Sequence, residues 1–135
     1  MTRRHLFAAL ALIGITLCAP MTFAATPSVE IIAMPHPPVI SALQPLRAWL
    51  TAQKIRVSEI DAESDAGVKR LASVGLSGHI PVVILINGHY RHRRADGSPV
   101  ALTHFPNIPN APAMARGEWV IKDVQALLRP VATSR

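Results

Sequence analysis

Apolar residues fall into separate blocks along the chain, each with its own period. The first, Leu6 to Leu17, is unbroken and follows the short basic stretch Thr2-Arg3-Arg4-His5. It is too short and wrongly flanked for a membrane span. Thr22-Phe23-Ala24 then supplies a small residue at its last position, so residues 1–24 are expected to be a secretory signal peptide cleaved near Ala24. The next block, Val29 to Met34, has the length of a buried strand and is ended by Pro35, Pro37 and Pro38, which cannot donate to a ladder. Val39, Leu43, Leu46 and Leu50, with Ile40 and Trp49 alongside, recur every three to four residues. That spacing predicts an amphipathic helix, with Pro45 inside it to kink it.

Ile55 to Asp61 reads as a second strand. Ser64-Asp65 is set to cap a short helix carrying Val68, Leu71, Ala72 and Val74 on one face, with Gly75 as its stop. Pro81 to Ile86 is the strongest strand; it is apolar on both faces and is expected to be central. Asn87-Gly88 is a two-residue hairpin signal, because both turn residues must take positive φ. His89 to Arg93 is the returning strand, and Asp96-Gly97 marks a further turn. Val100 to Ala115 is rich in Pro and Asn and reads as a long ordered loop, unusual in a small domain. Gly117-Glu118-Trp119 leads into a last helix with Val120, Val124, Leu127 and Leu128 inward and Pro130 as its stop. The order strand, helix, strand, helix, strand, strand, helix predicts an α/β sandwich of mixed sheet and flanking helices, the first βαβ unit pairing its strands in parallel.

Residues 25–135 are long enough to bury a core without staples and are expected to form a single domain. The formal net charge is +6, and Arg3 and Arg4 would leave with the signal. The single cysteine, Cys18, also lies in the signal. A lipoprotein signal would be cut before that cysteine and acylate it, but that processing wants a small residue where Leu17 stands. Under either reading no free thiol remains, so thiol chemistry is excluded and stability must come from packing although the expected compartment, periplasmic or secreted, favours disulfides.

The stretch Gly75-Leu76-Ser77-Gly78-His79-Ile80-Pro81-Val82-Val83-Ile84-Leu85-Ile86-Asn87-Gly88 resembles the thioredoxin-like fold family, in which a glycine-containing loop leads to an apolar residue, a cis-proline and an apolar strand. Pro45 and Pro81 follow Pro37 at about the intervals that separate the family's first active-site cysteine from its helix proline and its cis-proline. The resemblance implies a three-layer sandwich with a mixed sheet of about four strands, and places residues 94–116 outside the minimal fold. It also places the family's Cys-x-x-Cys at Pro37-Pro38-Val39-Ile40, where no cysteine stands, so thiol–disulfide exchange does not carry over. What the resemblance still implies is a proline loop, His79-Ile80-Pro81, whose backbone pairs with an extended partner.

His36 and His79 would then face each other beside Pro37, Pro38, Ile80 and Pro81. With Met34 they could hold a copper or zinc ion; the competing reading is two exposed loop histidines. His89, Arg91 and Arg93 share one strand face and Tyr90 and His92 the other. That basic face could meet an acidic partner or an anionic surface, or simply keep an edge strand from unwanted pairing. Nucleic acid is not an expected partner of an exported chain. His104, Phe105 and Met114 lie in the long loop, which could form a lid, and Trp119 reads as a core anchor. Asp61 and Glu63 are paired carboxylates near a strand end. No phosphate loop, nucleophile elbow or metalloprotease helix is present. The expected function is a redox-inactive, thioredoxin-like periplasmic module that binds a protein or peptide. The alternatives are copper or zinc binding through His36 and His79, and an enzyme whose chemistry lies in the long loop.

Overall fold

The computed structural model describes residues 25–110 and 117–132. The signal expected over 1–24, Cys18 and Met114 lie outside the described residues. The elements are β1 (Val29–Ala33), α1 (Pro37–Ala52), β2 (Val57–Asp61), α2 (Asp65–Ser73), β3 (Val82–Ile86), β4 (Arg91–Arg93), β5 (Pro99–Ala101) and α3 (Ile121–Ala132). Among the described residues the fold is mixed α/β with three helices, as the element order predicts.

The main sheet has three strands in the order β2-β1-β3, with β2 parallel and β3 antiparallel to β1. The expected four-strand sheet is therefore not formed, and β1, not β3, is central. All five residues of β3 are nevertheless buried. Its outer edge is covered by two fragments instead of a strand. Ile86 and His89 exchange hydrogen bonds across the Asn87-Gly88 turn, whose residues take φ 53° and 80°. At the other end, Ile84 N–H donates to Leu102 O at 2.9 Å and His104 N–H to Val82 O at 2.8 Å. Residues 102–104 thus occupy the place of the fourth strand, because Leu102 N–H also takes Tyr90 O at 2.8 Å and wedges between Tyr90 and β3.

The inserted loop expected over 94–116 is partly ordered as β structure. Asp96 Oδ1 accepts from Ser98 N–H at 2.9 Å, Gly97 sits at φ 83°, and Arg94 N–H closes on Ser98 O at 2.8 Å. This three-residue turn pairs β4 with β5 as a second, two-stranded sheet. Arg94 pins that hairpin to α3. Its Nε and Nη2 donate to the two Asp123 oxygens at 2.9 and 3.1 Å, and Nη2 also reaches Glu118 O at 3.0 Å.

Helices cover both faces of the sheet. Register pairs Ile31 with Glu59, so these share a face, and there Arg47 of α1 grips Glu59. Glu30, one residue from Ile31, points to the other face, where Arg70 of α2 grips it at 2.7 Å. Val39, Ala42, Leu43, Leu46 and Leu50 of α1 are buried, and the helix continues through the exposed Pro45. Trp119, Val124 and Leu128 complete the core. Trp119 Nε1 donates to Thr103 O at 3.1 Å, which ties the covering segment to α3. The last helix runs past Pro130 instead of stopping there.

Ser64 caps α2 as expected, its Oγ accepting from Gly67 N–H at 3.0 Å. The helix is rotated from its predicted face, however. Gly67 and Leu71 are buried, whereas Val68 is 57% exposed and Ala72 is exposed. The cause is the close approach at Gly67, where an added Cβ would clash with the backbone carbonyl oxygen of Asp61.

Gly67→Ala should therefore lower stability by about 2 kcal/mol through overpacking, read as a shifted urea midpoint at unchanged slope. Asp123 gives a second expectation. Burial alone would raise its pKa, but the hydrogen bonds from Arg94 and from Val120 N–H outweigh that and hold it below the usual range. A depressed folded pKa contributes stability above the unfolded value, near ~4, and loses it as pH falls through the folded value. Asp123→Asn should accordingly flatten the acid limb of the stability profile below about pH 4, measured by denaturation at stepped pH.

Candidate functional site

β1 and β2 are parallel neighbours whose connections part at their C-terminal ends. The chain leaves Ala33 toward α1 on one face and Asp61 toward α2 on the other. Strand ends that send their connections to opposite faces leave a crevice between them, the usual ligand position in open α/β sheets. Here the crevice is a groove of about 330 Å³ lined by Met34, Pro35, Ile40, Arg47, Glu59 and Asp61, among others.

Met34 is buried, and its N–H donates to Pro81 O at 2.9 Å. This bond joins the turn after β1 to the loop before β3, the neighbourhood that the resemblance implies. It also continues the antiparallel ladder one step beyond the Ala33–Val82 pair. Ile80 is buried, and its N–H closes on Gly78 O at 3.1 Å. No cis peptide bond occurs among the described residues, so the Ile80–Pro81 bond is trans and the cis-proline implied by the resemblance is not formed. The carbonyl of Pro81 and the N–H of Ile80 already have partners within the chain.

His36 is the N-cap residue of α1, with Pro37 and Pro38 in the first turn, all three exposed. Its Nε2 lies 3.0 Å from Glu63 Oε1. His79 is exposed in the loop before β3, and no hydrogen bond or ion pair joins it to His36. The structure brings together His36 and Glu63, two residues considered separately in the sequence, because the turns after parallel neighbours β1 and β2 lie side by side. Among the described residues no group of three or more His, Cys, Asp or Glu is placed to hold a metal ion, and Met34 faces the core.

Arg47, Glu59 and Ile40 were not singled out as site residues. Arg47 Nε and Nη2 donate to the two Glu59 oxygens at 2.7 and 3.0 Å, a bidentate fork along one wall. Ile40, seven residues before Arg47 on the same face of α1, also lines the groove and is 46% exposed. Arg47 stands four residues after the buried Leu43, a spacing that gives its position but not its partner, since Glu59 is matched to it only by the strand register. Apolar Met34, Pro35 and Ile40 beside a self-neutralised ion pair suit a ligand with an apolar group and a polar end. Among the described residues no serine or threonine hydroxyl is hydrogen-bonded to a histidine, and no nucleophile–base pair converges on the groove.

The fork is partly exposed, so Arg47→Met should shift stability by less than about 1 kcal/mol. A larger loss in chemical denaturation would mean that the pair holds α1 to the sheet.

Among the described residues no helix is long and apolar enough to cross a membrane. Comparison with known protein families, with curated proteins and with solved structures finds no match for this chain.

Proposed function

We propose that this chain is a redox-inactive, thioredoxin-like binding module of the periplasm, exported by the leader in residues 1–24. Its recognition site is the groove at the ends of β1 and β2. The observation that carries the reading is the parting of the β1 and β2 connections above an exposed, partly apolar groove with no convergent catalytic set. The thioredoxin-like part is supported by the parallel β1–α1–β2 unit, the antiparallel β3, Pro45 within α1, and Pro81 held against the turn after β1. Residues 25–135 contain no cysteine, so binding is a role open to this scaffold where thiol exchange is not. The partner class is a protein or peptide of the same compartment with an apolar side chain to seat against Ile40.

A photo-crosslinking residue at position 40, in cells exporting the chain, should give a discrete adduct that is absent when the label sits at Val68 on α2. Identical adducts from both positions, or none from position 40, would overturn the reading. Titration of the purified protein with Cu(I) and Zn(II) separates it from metal binding through His36, His79 and Met34. The binding-module reading expects His36→Ala and His79→Ala to leave metal uptake unchanged. Submicromolar uptake lost in both variants would replace it with the metal reading.

A further inference from the structure

We propose that the free edge of β4 is a docking strand for an extended acidic segment of another protein. This goes beyond the groove at the ends of β1 and β2 and uses a different surface. The β4–β5 ladder fixes what the edge offers. Arg94 N–H donates to Ser98 O at 2.8 Å and Leu102 N–H donates to Tyr90 O at 2.8 Å. Hydrogen-bonded and non-hydrogen-bonded pairs alternate in an antiparallel ladder. The pair His92–Val100 is therefore hydrogen-bonded, and Arg91–Ala101 and Arg93–Pro99 are not. Pro99, which has no N–H to give, stands where none is needed. The N–H and C=O groups of Arg91 and Arg93 consequently point away from β5, toward the side on which β4 has no strand partner among the described residues.

The side chains select the occupant. Arg91 and Arg93 are exposed on one face, opposite the uncharged Ala101 and Pro99. The Arg91 guanidinium lies over the Tyr90 ring, 5.2 Å from its centroid, and Arg93 Nη1 donates to Gly97 O at 3.0 Å. Neither makes an ion pair among the described residues, whereas Arg47, Arg70 and Arg94 each grip a carboxylate. The nearby acids are committed: Asp123 to Arg94 and Asp96 to Ser98. Alternate residues of a strand lie about 7 Å apart on one face. An added strand with carboxylates at alternate positions would set one beside each arginine while its backbone took the four outward groups. A second copy of β4 would bring four guanidiniums together and is repelled. A groove of about 410 Å³ between the end of α2 and Tyr90 opens beside Arg91 and leaves room for the partner chain to continue.

The probe is a short blocked peptide alternating Glu and Val, titrated into the labelled protein and followed by NMR and amide exchange. The Arg91 and Arg93 amides should gain protection, while His92, already bonded to Val100, should change little. Arg91→Ala or Arg93→Ala should each weaken binding about threefold. N-methylation of the peptide groups facing β4 should abolish it. Two results would overturn the proposal: no protection of either amide at low salt, or equal binding of the N-methylated peptide. Arginine-dependent binding to phosphatidylglycerol vesicles with no response to the peptide would instead make the patch a site for anionic surfaces.

Discussion

β1 has both edges and both faces in use, and the rest of the structure is arranged around that. Its left and right neighbours run in opposite senses, so one strand receives a parallel ladder from β2 and an antiparallel one from β3. Its one charged residue, Glu30, is held by Arg70 on the face that α2 covers. A strand enclosed in this way cannot shift register by one residue without turning Ile31 onto the α2 face and Glu30 onto the α1 face. That constraint fixes where the sheet stops, and both turns that leave its C-terminal end are fixed with it.

The consequences differ at the two ends of the sheet. At the β1–β2 end the backbone parts and leaves the groove walled by Arg47 and Glu59. Beyond β3 the chain must cover an apolar edge with the material that follows. His89 and residues 102–104 do so in two pieces, and the intervening residues are extruded as the β4–β5 hairpin. The Arg94–Asp123 fork then ties this extruded hairpin to α3. The same closure that buries β3 therefore presents a basic edge on the outside of the molecule.

Most of this was legible in the sequence where a residue type dictates a local geometry. Ser64 capped α2, Asn87-Gly88 turned the chain, and Gly75 at φ 79° ended a helix, with Leu76 N–H returning to Leu71 O. α1 ends by the same arrangement, with Ile55 N–H on Leu50 O, but Lys54 takes the positive φ there and gives no signal in the sequence. Features set by tertiary contact were not legible. The rotation of α2 depends on how closely Gly67 meets Asp61. The missing fourth strand depends on competition between residues 89–93 and 102–104 for one edge. At the site, the resemblance implied that the turn after β1 lies beside Pro81, as the Met34–Pro81 bond has it. It did not show that the Met34–Pro81 bond would take up the loop carbonyl, or that Glu63 and not His79 would meet His36.

The same turn is unsuited to thiol chemistry on more grounds than the absence of sulfur. A reactive thiolate at a helix start is stabilised by free N–H groups of the first turn and by the positive end of the helix dipole. In α1 that turn begins with Pro37 and Pro38, neither of which has an N–H. His36, at the N-cap, makes no side-chain cap bond, and its imidazole is turned to Glu63. Two of the donors that would hold an anion are thus missing, and a carboxylate stands close by. The prolines suit the helix start, where their fixed φ is already helical and no backbone partner is lost. They also make this turn a poor place for a negative charge and leave the exposed Pro35 and Ile40 as its accessible chemistry. A site of that composition suits an apolar surface, which is the physical ground for the proposal that the groove is a binding surface.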